Sequence, residues 1–295
     1  MRRLLITTGC LVAIFLAASP QLLAQKTQQV FIRVAGAGGL VTDLQVADVK
    51  VMEDDVACKV LKVEPAGPTK VQVLVDNGQI NTSPINGLRD GLHAFFEKLP
   101  AGIEMSLYTT APQGRSIVKP TTDKAKLISG IDLITPDRGV GAFFDSLLDA
   151  VDRADKDKLP GFPVIMMVGT DAGVDNIRDN DVMDIQKKII KDAITVQVAL
   201  TLGGSNQSSR TGAQPEIGMG LTRMSGGRYE AINSTTRLAT LLPEFGTRIA
   251  EAAARQQNQF KVTYEAPGKR SASPKIGISV SREGAVTISQ DGRTP

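Results

Sequence analysis

Apolar and polar residues alternate along the first part of the chain, with Val30, Ile32 and Val34 in one phase, then Ala47, Val49 and Val51, then Cys58 and Val60. Leu61 and Val63 then fall out of step with Lys62. A period of two is that of half-buried strands, so Gln29 to Val63 predicts short strands joined by tight turns. Ala47 is small and a poor strand former, which moves the expected start of its strand to Val49. Glu53-Asp54-Asp55 predicts the polar tip of a hairpin, and Pro65-Ala66-Gly67-Pro68 a linker that closes the segment.

From Lys70 the pattern changes to apolar strands separated by stretches of helical period, which predicts βαβ units and a mainly parallel sheet. Val71 to Val75 predicts a strand ending at Asp76, and Gly87 to Leu99 a helix with Leu88, Leu92, Phe95 and Leu99 on one face, stopped by Pro100-Ala101-Gly102. Strands follow at Ile103 to Tyr108 and Ser116 to Val118, and helices at Lys124 to Ile131 and Ala142 to Ala154. Val164-Ile165-Met166-Met167-Val168 is apolar on both faces, the mark of a central strand covered on each side. A helix at Ile177 to Asp192 and a strand at Ile194 to Leu200 come next. Thr201 to Gln214 is a polar loop, before a helix at Glu216 to Met224, a strand at Arg228 to Ala231 and a long helix at Thr236 to Gln256.

Alternation returns at Phe260 to Tyr264, Ile276 to Val280 and Val286 to Ile288, and these strands are expected to pair with the N-terminal ones. The pattern divides the chain into a leader over 1–24, a β module over 25–68, an α/β domain over 69–256 and a C-terminal β segment over 257–295. The leader is expected because Arg2 and Arg3 precede an apolar run from Leu4 to Ala18, and Gln21-Leu22-Leu23-Ala24 ends in a small residue suited to cleavage. The run is shorter than a membrane span needs, and Pro20 follows it. Cys10 lies inside the run, a poor position for lipid attachment. The expectation is a secreted or periplasmic protein beginning near Gln25, with no transmembrane segment after cleavage.

Composition narrows the partners. The chain has 34 Lys and Arg against 31 Asp and Glu, and cleavage leaves 34 less two, or 32, basic residues. An almost neutral chain without basic runs is not expected to bind nucleic acid. With no Trp and three Tyr it lacks aromatic stacking platforms. Loss of Cys10 leaves Cys58 alone, a small buried residue by its strand position, so no internal disulfide is expected.

In an open α/β sheet ligands bind outside the carboxyl ends of the strands, which directs attention to the loops at 76–86, 137–142, 169–180 and 201–214. A strand ending in Asp76, a helix carrying Phe144-Asp145-Ser146-Leu147 and an apolar strand ending in Thr170-Asp171 resemble the von Willebrand factor A (VWA) domain. Asp48-Val49-Lys50-Val51-Met52-Glu53-Asp54, Met224-Ser225-Gly226-Gly227-Arg228-Tyr229 and Gln259-Phe260-Lys261-Val262-Thr263-Tyr264 are similar, in order and spacing, to elements of the exported bacterial VWFA-related (acidobacterial-type) family. The resemblance implies a Rossmann-like domain with helices on both faces of its sheet, beside a small β module formed by both ends of the chain.

It also implies a metal-ion-dependent adhesion site, in which an Asp-x-Ser-x-Ser loop, a Thr and a second Asp hold Mg²⁺ or Mn²⁺. This chain keeps Asp76, but Gly78 and Ile80 replace the two hydroxyls, Gly141 stands at the Thr position, and Asp171 alone remains of the rest. Hard dications need several oxygens, so the usual site is expected to be degenerate, and no metal is expected. The alternatives are an adhesion module that binds Ca²⁺ or Mg²⁺ through Asp76 and Asp171, or a displaced site that draws on Asp175, Asn176 or Thr82. Asp76 and Asp171 as helix caps or partners of loop amides is the plainer reading.

Other chemistry finds little support. His93, the single histidine, lies on an amphipathic helix, and one His with one Cys assembles neither a zinc site nor a nucleophilic triad. Gly36-Ala37-Gly38-Gly39-Leu40-Val41 departs from the dinucleotide fingerprint at its sixth position and sits between strands, so it reads as a turn. Asp152 and Asp155 read as a solvated helix flank. An acid/base enzyme using Asp76, Asp171 and Asp175 is the remaining catalytic alternative. The sequence thus predicts a non-catalytic protein that binds a protein or peptide through Asp76, Asn77, Gly78, Gln79, Ile80, Gly141, Thr170, Asp171 and Asp175.

Overall fold

The computed structural model describes residues 27–36, 38–78, 85–137, 139, 141–157, 161–171, 178–202, 213–269, 271 and 273–288. The leader 1–24 and the positions Gln79, Ile80, Thr82, Asp175 and Asn176 lie outside the described residues.

The chain runs β1 (Thr27–Gly36), β2 (Gly39–Leu40), β3 (Val49–Glu53), β4 (Val56–Pro65), β5 (Thr69–Val75), α1 (Ile85–Lys98), β6 (Glu104–Thr109), β7 (Arg115–Thr121), α2 (Lys124–Asp132) and α3 (Phe143–Lys156). It continues with β8 (Phe162–Thr170), α4 (Asp179–Asp192), β9 (Thr195–Thr201), α5 (Ala213–Ser225), β10 (Tyr229–Ile232), α6 (Leu238–Gln256), β11 (Phe260–Glu265), β12 (Ile276–Val280) and β13 (Ala285–Ile288).

The described residues form two sheets. One has the order β10-β9-β8-β5-β6-β7, and its pairings are parallel except that of β6 with the edge strand β7. The other, β12-β3-β4-β11-β1-β13 with β2 attached to β1, is antiparallel throughout. Parallel pairing therefore describes the six-stranded sheet and not the molecule as a whole.

β8 shows how sequence sets the layers. Val164, Met166 and Val168 enter one core with residues of α1, α2 and α6, while Ile165 and Met167 enter a second with residues of α3, α4 and α5. Successive side chains of a strand point to opposite faces, so an unbroken apolar run needs helices on both. Glycine in α1 brings α6 close, since a β-carbon on Gly91 would lie 2.6 Å from the Leu238 carbonyl oxygen.

The antiparallel sheet closes over Ile32, Val34, Val51, Val262 and Tyr264. The change of phase at Leu61 is a bulge, because β11 pairs Thr263 with Lys62 and the next residue, Tyr264, with Val60. Residues 46–48 form a 3-10 turn, and the strand begins at Val49. Glu53 is not a solvated hairpin tip: it is fully buried and accepts a 2.9 Å hydrogen bond from the Tyr264 hydroxyl. The turn itself is Asp54 and Asp55, both at positive φ. Cys58 is half-buried against this core rather than enclosed.

Asp152 and Asp155 are not merely solvated either. Asp152 binds Lys188 at 2.6 Å and Asp155 pairs with Lys191, which ties α3 to α4. Between the two bodies Phe31 packs on Phe162 with ring centroids 4.9 Å apart, beside Ala66 and Ala193. The Gln29 amide donates to the carbonyls of Ile190 and Lys191 at the end of α4, at 3.2 and 2.6 Å.

Candidate functional site

Asp76 follows β5 directly, and its backbone N–H continues the sheet by donating to the Val168 carbonyl at 2.8 Å. This places its side chain at the carboxyl end of the central strands, where the loops after β6 and β8 and the entry to α3 converge. The site is built by close backbone packing. A β-carbon on Gly141 would stand 2.1 Å from Asp76 Oδ1 and 2.5 Å from Oδ2, and one on Gly78 would stand 2.6 Å from the Gly141 nitrogen and 2.8 Å from the Gly139 oxygen. Gly78 and Gly141 thus close over the carboxyl group, with the Gly139 carbonyl packed against Gly78.

The two carboxyl oxygens have protein partners. Oδ1 accepts from the Gly78 N–H at 2.9 Å, and Oδ2 accepts from the Thr170 hydroxyl at 3.3 Å. Asp76 is 2% exposed. Burial raises its pKa above the usual carboxylate range, outweighing the lowering by the Gly78 amide, the Thr170 hydroxyl and amide and, least, the Thr110 hydroxyl. The last of these makes no hydrogen bond of ordinary geometry among the described residues.

Asn77 organises the floor of the site. Its side-chain oxygen accepts from the Ala111 N–H at 3.1 Å, its amide donates to the Thr135 carbonyl at 2.9 Å, and its own carbonyl accepts from the Asp137 N–H at 2.7 Å. One buried residue therefore fixes the loop after β6 and the segment leading to α3. Asp171 lies on the other side of Thr170. Its N–H donates to the Thr201 carbonyl at 3.1 Å, and its charge raises the Tyr229 pKa, second to the effect of burial.

The described residues that the sequence singles out lie at one end of the sheet, but their exposure differs from what a binding surface requires. Asp76, Asn77, Gly78 and Gly141 are buried and form a floor, while Thr170 and Asp171 are half-exposed and form the described part of the surface. Gly139 and Thr110 carry no sequence signal of their own, because only tertiary packing places Gly139 against Gly78 and Thr110 near Asp76.

A dication would need about six or more oxygens at roughly 2.0–2.6 Å. The described residues do not fit that demand. Gly78 and Gly141 supply no side-chain oxygen, the Gly141 backbone occupies the approach to the carboxyl group, and both Asp76 oxygens accept hydrogen bonds. No group of three His, Cys, Asp or Glu side chains suited to a metal ion occurs among the described residues.

No family model matches the sequence. No curated protein matches it. Similarity is found among solved structures. A von Willebrand factor type A protein from Catenulispora acidiphila is 10% identical with a TM-score of 0.51, over 90% of this chain and 72% of that one. An aerotolerance-related membrane protein from Bacteroides fragilis is 12% identical with a TM-score of 0.45, over 61% of this chain and 99% of the other. The conserved hypothetical protein BatB from Bacteroides thetaiotaomicron is 13% identical with a TM-score of 0.45, over 63% and 100%. The first of these likenesses, together with the strand order and the position of Asp76, defines a VWA-type α/β fold.

Proposed function

We propose that the chain is an exported, non-catalytic VWA-type protein of the cell envelope that binds a protein or peptide through the carboxyl-end face of its parallel strands, without a metal at the usual position. The observation that carries the metal-free reading is the contact between Gly141 and Asp76, where the Gly141 backbone packs directly against the carboxyl group. Membership of the acidobacterial-type family is part of the same proposal and rests on the segments at 48–54, 224–229 and 259–264. Export rests on the Arg2-Arg3 and Leu4 to Ala18 pattern. No helix among the described residues is long and apolar enough to cross a membrane.

Two measurements test the reading. A dication that binds only the folded state must raise the melting temperature, so millimolar Ca²⁺, Mg²⁺ and Mn²⁺ are expected to leave it unchanged. A rise that disappears in Asp76→Asn would replace this proposal with the Ca²⁺ or Mg²⁺ adhesion module. A photo-crosslinking residue at position 171 is expected to capture a discrete partner in intact cells, whereas one at the exposed Lys50 on β3 is not. Equal capture from both positions would remove the assignment of the partner face.

A further inference from the structure

A cleft of about 940 Å³ opens at the opposite end of the six-stranded sheet, where α4 and α5 end and β9 begins. One wall is the outer side of β1 and β11, and the other is the pair of helix C-termini. Its lining includes the large apolar side chains Ile190 and Met224, 66% and 39% exposed, with the buried Phe31, Ile189 and Ile194 beneath them. A single exposed apolar residue is ordinary, but two in the lining of one concave site are what a docking anchor uses.

The lining carries three cations and one carboxylate: Lys191, Arg223, Lys261 and Asp192. Lys191 is held in an ion pair with Asp155. Arg223 from α5 and Lys261 from β11 line the cleft and enter no ion pair among the described residues. One carboxylate, Asp192, shares the lining, and its Oδ2 is buried without a hydrogen bond among the described residues. The charged groups facing Asp192 are Lys191 on its own helix, Asp155 on α3 and Lys261 on β11.

We propose that this cleft is a docking site for an acidic peptide segment bearing an apolar anchor, with the anchor seated on Ile190 and Met224 and its carboxylates on Arg223 and Lys261. The site is separate from the Asp76 face and does not depend on that face's function. Two cations outside any described ion pair, beside exposed apolar side chains, complement such a segment and repel a basic one. Asp192 opposes it, and burial lifts the Asp192 pKa to about 6. Mild acid therefore removes the opposing charge while the peptide's own glutamates stay ionised.

The test is fluorescence anisotropy of the intact chain with a labelled octapeptide, Glu-Glu-Leu-Glu-Phe-Glu-Leu-Glu, against its lysine counterpart. The acidic peptide is expected to bind and the basic one not, and added salt is expected to weaken binding. The charge reversals Arg223→Glu and Lys261→Glu together are expected to lower affinity by about tenfold or more. Ile190→Ser is expected to lower it without changing the salt dependence, and Lys119→Glu on the distant β7 to leave it unchanged. Affinity should rise between about pH 7.5 and about pH 5.5, and Asp192→Asn should bind tightly at both. Melting curves establish that each variant is folded. Failure of the acidic peptide to bind, equal binding of the basic one, or wild-type affinity in the double reversal would overturn the proposal. Self-association of the chain that these same substitutions abolish would also overturn it, assigning the cleft to a second copy.

Discussion

Gly141 and Asp76 are in contact through backbone on one side and carboxyl group on the other, with no room for a β-carbon between them. The arrangement makes Gly141 a packing requirement. Gly141→Ala and Gly141→Thr are both expected to destabilise the fold by about 1–3 kcal/mol, the usual cost of overpacking. Urea denaturation measures this. Gly141→Thr restores the hydroxyl of the adhesion-site pattern, yet it should gain no dication-dependent stability, because the added side chain displaces the carboxyl group it would have to assist.

Asp76→Asn is expected to stabilise the protein at neutral pH. The Asp76 pKa is raised by burial, so its contribution to stability is fully present below the unfolded carboxylate pKa of about 4 and is lost as pH rises through the folded value. An asparagine retains an acceptor for the Gly78 N–H and a partner for the Thr170 hydroxyl without a charge to bury. Melting temperatures of the two proteins should converge near about pH 4 and separate as pH rises, with the variant higher. A variant that melts lower at pH 7 would mean that the ionised carboxylate is stabilised there.

Tyr264→Phe removes the hydroxyl that donates to the buried Glu53. Removing one partner of a buried hydrogen bond costs about 1–3 kcal/mol, and a loss of that size is expected in denaturant unfolding. Glu53→Gln should cost less, since the amide still accepts from Tyr264.

The paired glycines after α5 do different work. Gly226 has a φ of 73° and nothing within 4 Å of the point a β-carbon would occupy, whereas a β-carbon on Gly227 would fall 1.7 Å from the Val196 carbonyl oxygen. Gly226→Ala should therefore cost only the strain of a left-handed residue, about 1 kcal/mol. Gly227→Ala must push β10 away from β9 and is expected to cost several times more. Equal effects in thermal unfolding would contradict this division.

The layers of the α/β body are legible in the sequence because its strands need only local rules. The run Val164 to Val168 announces a two-sided strand, and Asp76 at the end of an apolar run marks the carboxyl edge. What is not legible depends on partners far along the chain. Glu53 sits in a polar triplet with the composition of a turn, and its buried partner Tyr264 lies 211 residues further on. Asp152 and Asp155 lie on the hydrophilic side of α3, and the cations that engage them come from α4. The burial of Asn77 and Gly141 is hidden for the same reason: their neighbours are loops whose paths no period describes.

The antiparallel sheet takes β1 to β4 from before the α/β body and β11 to β13 from after it, so that Thr27 lies opposite Glu265. Synthesis therefore delivers three of the seven strands of this sheet only after the α/β body, and its core cannot close until β11 to β13 have been made. The α/β body can assemble around its own neighbours in the meantime. A single cut within that body would leave the two parts of the sheet on separate fragments, held together only by non-covalent pairing and packing.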